Sequence, residues 1–187
     1  GLDWYGSRNT DWGPWPDDIQ KTADYRTAEY AIQKFQQDYD QPFFLNVGIY
    51  KPHSPFFAPL EYFKPYPLSD LKMPEILEND WDDLPVGARL LMENSKWFWE
   101  GMMKALEEDP SAWKDYVQAY QACASFADDM IGRIIDALDK SPHKNNTIII
   151  LWSDHGFHLG EKEHFENFAL WEKTTHIPFI VIAPGVT

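Results

Sequence analysis

The sequence predicts an α/β fold, with a mostly parallel sheet flanked by helices, and three observations predict it. The runs 147–152 (Thr-Ile-Ile-Ile-Leu-Trp) and 43–49 (Phe-Phe-Leu-Asn-Val-Gly-Ile) are short and rich in β-branched and aromatic residues. They lack strict alternation, which suits strands buried on both faces of a parallel sheet. Helical periodicity surrounds these runs, the alternation of elements that builds α/β layers. Both runs also stop at chemically rich ends, Tyr50-Lys51-Pro52-His53 and Ser153-Asp154-His155-Gly156. In open α/β sheets, ligands gather outside the carboxyl ends of the strands.

Composition bounds the rest. A chain of 187 residues can bury a substantial core as one domain, and 44% hydrophobic residues with nine tryptophans exclude a disordered chain. The net charge of −14 argues against nucleic-acid partners and acidic membrane surfaces. An anionic substrate must therefore be drawn by local cations. No apolar run is long enough to span a bilayer. The single cysteine, Cys123, excludes an internal disulfide framework. The chain opens on Gly1-Leu2-Asp3-Trp4 and ends on Pro184-Gly185-Val186-Thr187, directly after a strand, so it is expected to be a piece of a longer protein.

In order, residues 1–16 read as an irregular arm rich in Gly, Asp, Trp and Pro. A helix is expected from Asp17-Asp18 to about Tyr39, with Ala28, Ala31, Ile32 and Phe35 on its buried stripe. Asp40-Gln41-Pro42 ends it before the strand 43–49. Residues 56–110 read as a long covering excursion, broken by prolines, with a short helix near 87–93 and a solvated acidic run at 78–83. Asp109-Pro110-Ser111 starts a long helix whose face carries Tyr120, Ala124, Ala127, Ile131, Ile134, Ile135 and Leu138. Cys123 lies within it and is expected to pack as a small hydrophobe. Ser141-Pro142 stops this helix, Asn145-Asn146 turns the chain into 147–152, and 177–183 forms the last strand. Gly156 is expected to turn the chain sharply after Asp154-His155. Read without context, that pair is a polar strand-end turn.

Three segments in order change that reading: Tyr50-Lys51-Pro52-His53-Ser54-Pro55-Phe56, Ser153-Asp154-His155-Gly156-Phe157-His158-Leu159-Gly160-Glu161, and Thr175-His176-Ile177-Pro178 leading to Ala183-Pro184-Gly185. Together with the helix phrase from Tyr120 through Arg133, they resemble the sulfatases of the alkaline phosphatase superfamily, most closely the iduronate-2-sulfatase-like group. The resemblance covers nearly the whole chain and is weakest over 75–110. It implies that residues 1–187 are part of an alkaline-phosphatase-like catalytic domain acting on a sulfated small molecule or saccharide, in the periplasm or secreted. It also implies a calcium ion held in part by Asp154 and His155, and a sulfate-contacting histidine at His53. An imidazole is an unusual partner for a hard cation, so contact with nucleophile or substrate is the alternative for His155. Lys51 falls where it adds positive charge or is simply solvated. Phe157 matches an aromatic beside the substrate, with core packing as its alternative, and His176 is expected to be structural.

Two departures accompany the resemblance. The family's formylglycine nucleophile arises from Cys/Ser-x-Pro-x-Arg, a motif this chain lacks; that nucleophile and the first aspartate pair are expected in an N-terminal part outside these residues. Asn167 occupies the position where the family carries a sulfate-binding lysine, with Lys162 and Lys173 flanking it. Two rivals follow: a phosphodiesterase or phosphonate hydrolase of the same superfamily, and a non-catalytic anion-binding relative.

Overall fold

The computed structural model describes residues 10–186. They divide into two compact units, residues 10–71 with 114–147 and residues 72–113 with 148–186. The division falls inside the expected covering excursion, so 56–71 belong to one unit and 72–110 to the other. The reading of 1–9 as an irregular arm lies outside the described residues.

In the first unit, Thr22 caps helix α1 (Ala23–Phe35), its hydroxyl accepting the Tyr25 N–H at 3.2 Å. The buried stripe is Asp24, Ala28, Ala31 and Phe35. The expected helix from residue 17 is thus shorter, because Asp18 caps a separate 3-10 turn at Ile19–Lys21 first. Part of the supposed irregular arm is strand: β1 (Trp12–Pro14) pairs in parallel with β2 (Phe56–Ala58), with Trp12 opposite Phe56 and Pro14 opposite Ala58. Both pack on α4 (Ala112–Asp139), whose residues from Lys114 onward belong to this unit. Tyr116 meets Trp12 edge-on at 5.3 Å and Phe56 at 4.7 Å between ring centres. Tyr116, Ala119, Cys123, Phe126, Met130, Ile134 and Leu138 form the buried line. Of the predicted face, Ala127, Ile134 and Leu138 are buried, while Tyr120, Ala124, Ile131 and Ile135 are only half-buried. Aromatic and sulfur side chains, with more area to hide, occupy the centre.

Residues 43–49 are extended but carry no ladder. Phe43, Leu45, Val47 and Ile49 are half-buried while Phe44, Asn46 and Gly48 are exposed, Phe44 at 94%. Phe43 packs against Tyr39 at 5.0 Å and His143 at 5.3 Å. The expectation of burial on both faces is corrected: one face packs and the other points outward.

In the second unit, α2 (Val86–Glu93) is the predicted short helix, but α3 (Lys96–Glu108) was not predicted. The bulky run Trp97-Phe98-Trp99 obscures any single stripe, although only Phe98, Gly101, Met102 and Ala105 are fully buried. Phe165 fills the core between Phe98 (5.5 Å), Trp99 (5.7 Å) and Trp113 (5.7 Å). Strands β3 (Ile149–Trp152) and β4 (Phe179–Ile182) pair antiparallel, Ile149 opposite Ile182 and Trp152 opposite Phe179. Parallel pairing among the described residues is therefore that of β1 with β2. Strand β3 alternates half-buried and exposed positions, with Ile150 58% and Trp152 61% exposed, so its expected two-sided burial is also corrected. The acidic run at 78–83 is anchored, not merely solvated. Asp80 pairs with the Lys162 ammonium at 2.5 Å, and the Trp81 indole donates to the Lys162 carbonyl at 2.8 Å. No helix among the described residues is long and apolar enough to cross a membrane.

Candidate active site

The predicted site residues fall in the two units: Lys51 and His53 in the first, Asp154, His155, Phe157 and Asn167 in the second. Each group is built by its own unit.

The His53 loop follows the extended segment 43–49. Asp24, 4% exposed on α1, accepts the Tyr50 N–H at 2.8 Å through Oδ1 and the Lys51 N–H at 3.0 Å through Oδ2. A buried carboxylate is costly unless its oxygens are hydrogen-bonded; here each meets a backbone donor that burial would otherwise strand. The Lys51 ammonium turns back into its own loop, donating to the carbonyls of His53 and Pro55. Burial pulls the pKa of Lys51 down, opposed by the nearby Cys123 and Asp24. The ring of His53 lies 4.8 Å from that of Tyr50. Its Nδ1 is 2.7 Å from the Ser54 carbonyl oxygen and 2.9 Å from the Tyr50 hydroxyl, which itself donates to Ser54 O at 2.6 Å. Cys123 is fully buried, and burial pushes its thiol pKa up to about 12, so it packs and does not react.

At the second strand end, the His155 N–H donates to Asp154 Oδ1 at 3.1 Å, and His155 Nε2 lies 3.7 Å from Asp154 Oδ2. His155 Nδ1 lies 2.8 Å from the Gly156 carbonyl oxygen. A carbonyl only accepts, so Nδ1 carries a hydrogen, and Nε2 is the ring nitrogen that faces the carboxylate. The Asp154 side chain is 78% exposed. A carboxylate oxygen and an imidazole nitrogen on one side of the turn are of the donor types that could form part of a cation's ligand set. Among the described residues, no three His, Cys, Asp or Glu side chains gather to complete one.

Gly156 is required by close approach and not by a sharp turn. Its N–H donates to Thr174 O at 2.8 Å, and a Cβ there would lie 2.0 Å from the Lys173 carbonyl oxygen. Gly160 adopts φ +127, where a Cβ would strike the Trp113 ring at 2.3 Å. Between these glycines, Phe157 N–H donates to Lys173 O at 3.1 Å and His158 N–H to Glu166 O at 3.1 Å. The second bond brings Asn167, half-buried, beside the backbone that follows Phe157, also half-buried. Both flanking lysines face acidic partners. Lys162 is committed to Asp80 and lies 5.2 Å from the Trp171 ring centre; Lys173 is 63% exposed and 3.7 Å from Glu161. His176 is exposed and pairs with Glu172 at 2.8 Å on its own helical turn.

Sequence reading missed Asp24. The signal was present: it sits four residues before Ala28 on the apolar stripe of α1, where a carboxylate has no business without partners.

The His53 loop thus presents an imidazole over an Asp-anchored backbone, and the Asp154-His155 turn presents one beside a carboxylate. The family model described as Sulfatase matches residues 2–187, and the chain belongs to the sulfatase family, within the alkaline phosphatase superfamily. It is 38% identical over 187 residues to a sulfatase of Formosa agariphila, covering 97% of this chain and 35% of that protein. It is 31% identical to human iduronate 2-sulfatase, covering 88% of this chain and 31% of the relative. Among solved structures, a phosphonate monoester hydrolase from Silicibacter pomeroyi superimposes with a TM-score of 0.74 at 18% identity, over 98% of this chain and 39% of that one, a likeness of fold. The chain thus spans about a third of the length of the curated relatives it matches.

Proposed function

We propose that the full-length protein hydrolyses sulfate monoesters, with residues 1–187 forming part of its catalytic domain. The observation that carries this reading is the family match over residues 2–187, together with His53, whose ring is set by the Ser54 carbonyl in a loop anchored by Asp24. Hydrolysis of a sulfate ester builds charge on nonbridging and leaving oxygens, and fixed donors aimed at them stabilise it. His53 contacts those oxygens. Lys51 holds the loop's carbonyls and adds its positive charge behind them. Phe157 lines the ester's alcohol side, and Asn167 donates a neutral hydrogen bond where relatives place a lysine. Asp154 and His155 would hold a calcium ion, which supplies positive charge to the sulfate oxygens when bound. The attacking formylglycine is not among these residues, since no Cys/Ser-x-Pro-x-Arg motif occurs.

A sulfated sugar is the favoured substrate class, supported by the 31% identity to an iduronate 2-sulfatase. The periplasm or secretion is the favoured compartment. The test is turnover of 4-nitrophenyl sulfate and of sulfated monosaccharides by the full-length protein, with and without calcium chelation. Calcium-dependent release of sulfate is the expected result. Hydrolysis of a phosphonate monoester in preference to any sulfate ester would overturn the reading.

A further inference from the structure

In the second unit, two turns that carry predicted site residues meet on one buried threonine. Thr174, 2% exposed, lies in the helical turn Glu172–Thr175. Its carbonyl oxygen accepts the Gly156 N–H at 2.8 Å, which ties down the Asp154-His155-Gly156 turn. A Cβ on Gly156 would lie 3.3 Å from Thr174 Cα, so the two backbones pack closely. The side chain reaches the second turn. The Thr174 hydroxyl lies 2.9 Å from Ala169 O and 2.9 Å from Trp171 O. Both are carbonyl oxygens that only accept, so one O–H is shared between them. Trp171 O also receives the Thr174 N–H at 2.9 Å, the Thr175 N–H at 3.0 Å and the Thr175 hydroxyl at 3.1 Å. Ala169 O has no second donor among the described residues, and Ala169 is 8% exposed. A carbonyl on so buried a residue needs its donor. Ala169 gives its own N–H to Asn167 O at 2.8 Å, and the His158 N–H holds Glu166 O at 3.1 Å. The backbone is thus pinned on both sides of Asn167, while the Asn167 side-chain amide meets no partner among the described residues.

We propose that Thr174 is a positioning residue that joins the Asp154-His155-Gly156 turn to the Asn167-Phe168-Ala169 turn. Its carbonyl fixes the first and its hydroxyl the second, so that the Asn167 amide is set in place for the sulfate group. This rests on the reading of Asn167 as a neutral donor to sulfate and names what holds it there. The two contacts differ in kind. The backbone carbonyl is present whatever the side chain, whereas the hydroxyl is supplied only by threonine or serine. An asparagine gains less from charge than a lysine would, and a neutral hydrogen bond weakens steeply as its angle closes. Its placement in advance therefore matters more, because a fixed donor costs no reorganisation as charge develops on the ester.

The experiment compares Thr174→Val with Thr174→Ser in the full-length protein, read as the Kd of inorganic sulfate, kcat/KM for 4-nitrophenyl sulfate and the Kd of calcium. Valine keeps the volume and removes the hydroxyl. It is expected to raise the sulfate Kd and lower kcat/KM about tenfold each, the range of outer-contact losses, with the calcium Kd within about twofold because the carbonyl that holds Gly156 is retained. Thr174→Ser, which keeps the hydroxyl, should recover most of both losses. Thr174→Cys offers a weaker donor of similar volume and should fall between serine and valine, which keeps the comparison open if the valine variant does not fold. In an Asn167→Ala background, Thr174→Val and Thr174→Cys should cost no further sulfate affinity, because coupled residues act through one another. If Asn167→Ala leaves turnover and sulfate binding intact, the reading of Asn167 fails and the proposal with it. If Asn167→Ala is crippling but the Thr174 variants are silent, or cost the same with and without the Asn167 amide, the positioning role is overturned. Equal weakening of calcium and sulfate by Thr174→Val would mark a general loosening and overturn it too.

Discussion

His53 and His155 share one local device: each lays Nδ1 against the carbonyl of the residue that follows it, Ser54 at 2.7 Å and Gly156 at 2.8 Å. Beyond that the two strand ends differ. The His53 loop is held from beneath by a carboxylate only 4% exposed, and its histidine ring is braced by Tyr50. At the Asp154-His155 turn the carboxylate is 78% exposed, and the backbone is tied to the segment around Thr174 through the Gly156 N–H. A donor that must meet developing charge works best when fixed in advance, since reorganisation at the moment of reaction is costly. A metal ligand can stay accessible, because binding itself supplies the ordering free energy. The contrast between the strand ends thus tracks their proposed tasks.

That contrast is breakable. The largest effect on stability should come from Asp24→Ala in the full-length protein, which strands two backbone N–H groups under the His53 loop. It is expected to cost ~2–4 kcal/mol in denaturant unfolding. Asp154→Ala should change stability by less than ~0.5 kcal/mol, as exposed substitutions do. Equal costs at the two positions would erase the distinction drawn above.

Next in size is Asn167→Lys. A neutral amide donor is roughly half as effective as a charge-assisted one. Restoring the charge should raise sulfate-ester turnover by up to about two orders of magnitude, or ~2–3 kcal/mol. A silent or harmful Asn167→Lys, measured as kcat/KM, would remove Asn167 from the sulfate pocket. Asp154→Ala should then weaken calcium binding by at least about tenfold, or ~1.4 kcal/mol, by calorimetry. An unchanged titration would detach the exposed turn from its proposed metal role.

The smallest effect concerns the second unit's buried histidines. His158 and His164 are each 1% exposed, with His158 Nε2 and both ring nitrogens of His164 unpartnered. Burial lowers the pKa of both, His164 to about 4, with His158 beside it adding to the shift. An unfolded imidazole titrates near ~6.5, so below that pH the unfolded chain binds protons that the folded one refuses. The contribution of His164 to stability is complete above ~6.5 and is lost as pH falls toward about 4, and the lowered pKa of His158 acts in the same direction. His164→Leu should flatten the stability curve across that window while leaving neutral-pH activity near wild type. A curve as steep as the wild type's would place the acid sensitivity elsewhere.

Local pattern carried much of this. The stops at 50–56 and 153–161, the α1 stripe around Ala28, Ala31 and Phe35, and the helix through Cys123 are written in spacing and turn chemistry, which act over a few residues. The family membership rests on motif order, also a linear property, and the match over residues 2–187 agrees with it. Other features are decided by what meets what across long separations. Asp24 reaches Tyr50 and Lys51 over 26 and 27 residues, and Asp80 reaches Lys162 over 82. The antiparallel pairing of β3 with β4, the one-sided packing of 43–49 and the need for glycine at 156 belong to the same group. Burial and hydrogen-bond satisfaction are properties of neighbours in space, so no window along the chain contains them. The sequence determined which chemistry was available at each strand end, and the tertiary structure decided which side chains were free to use it and which were bound to hold the others in place.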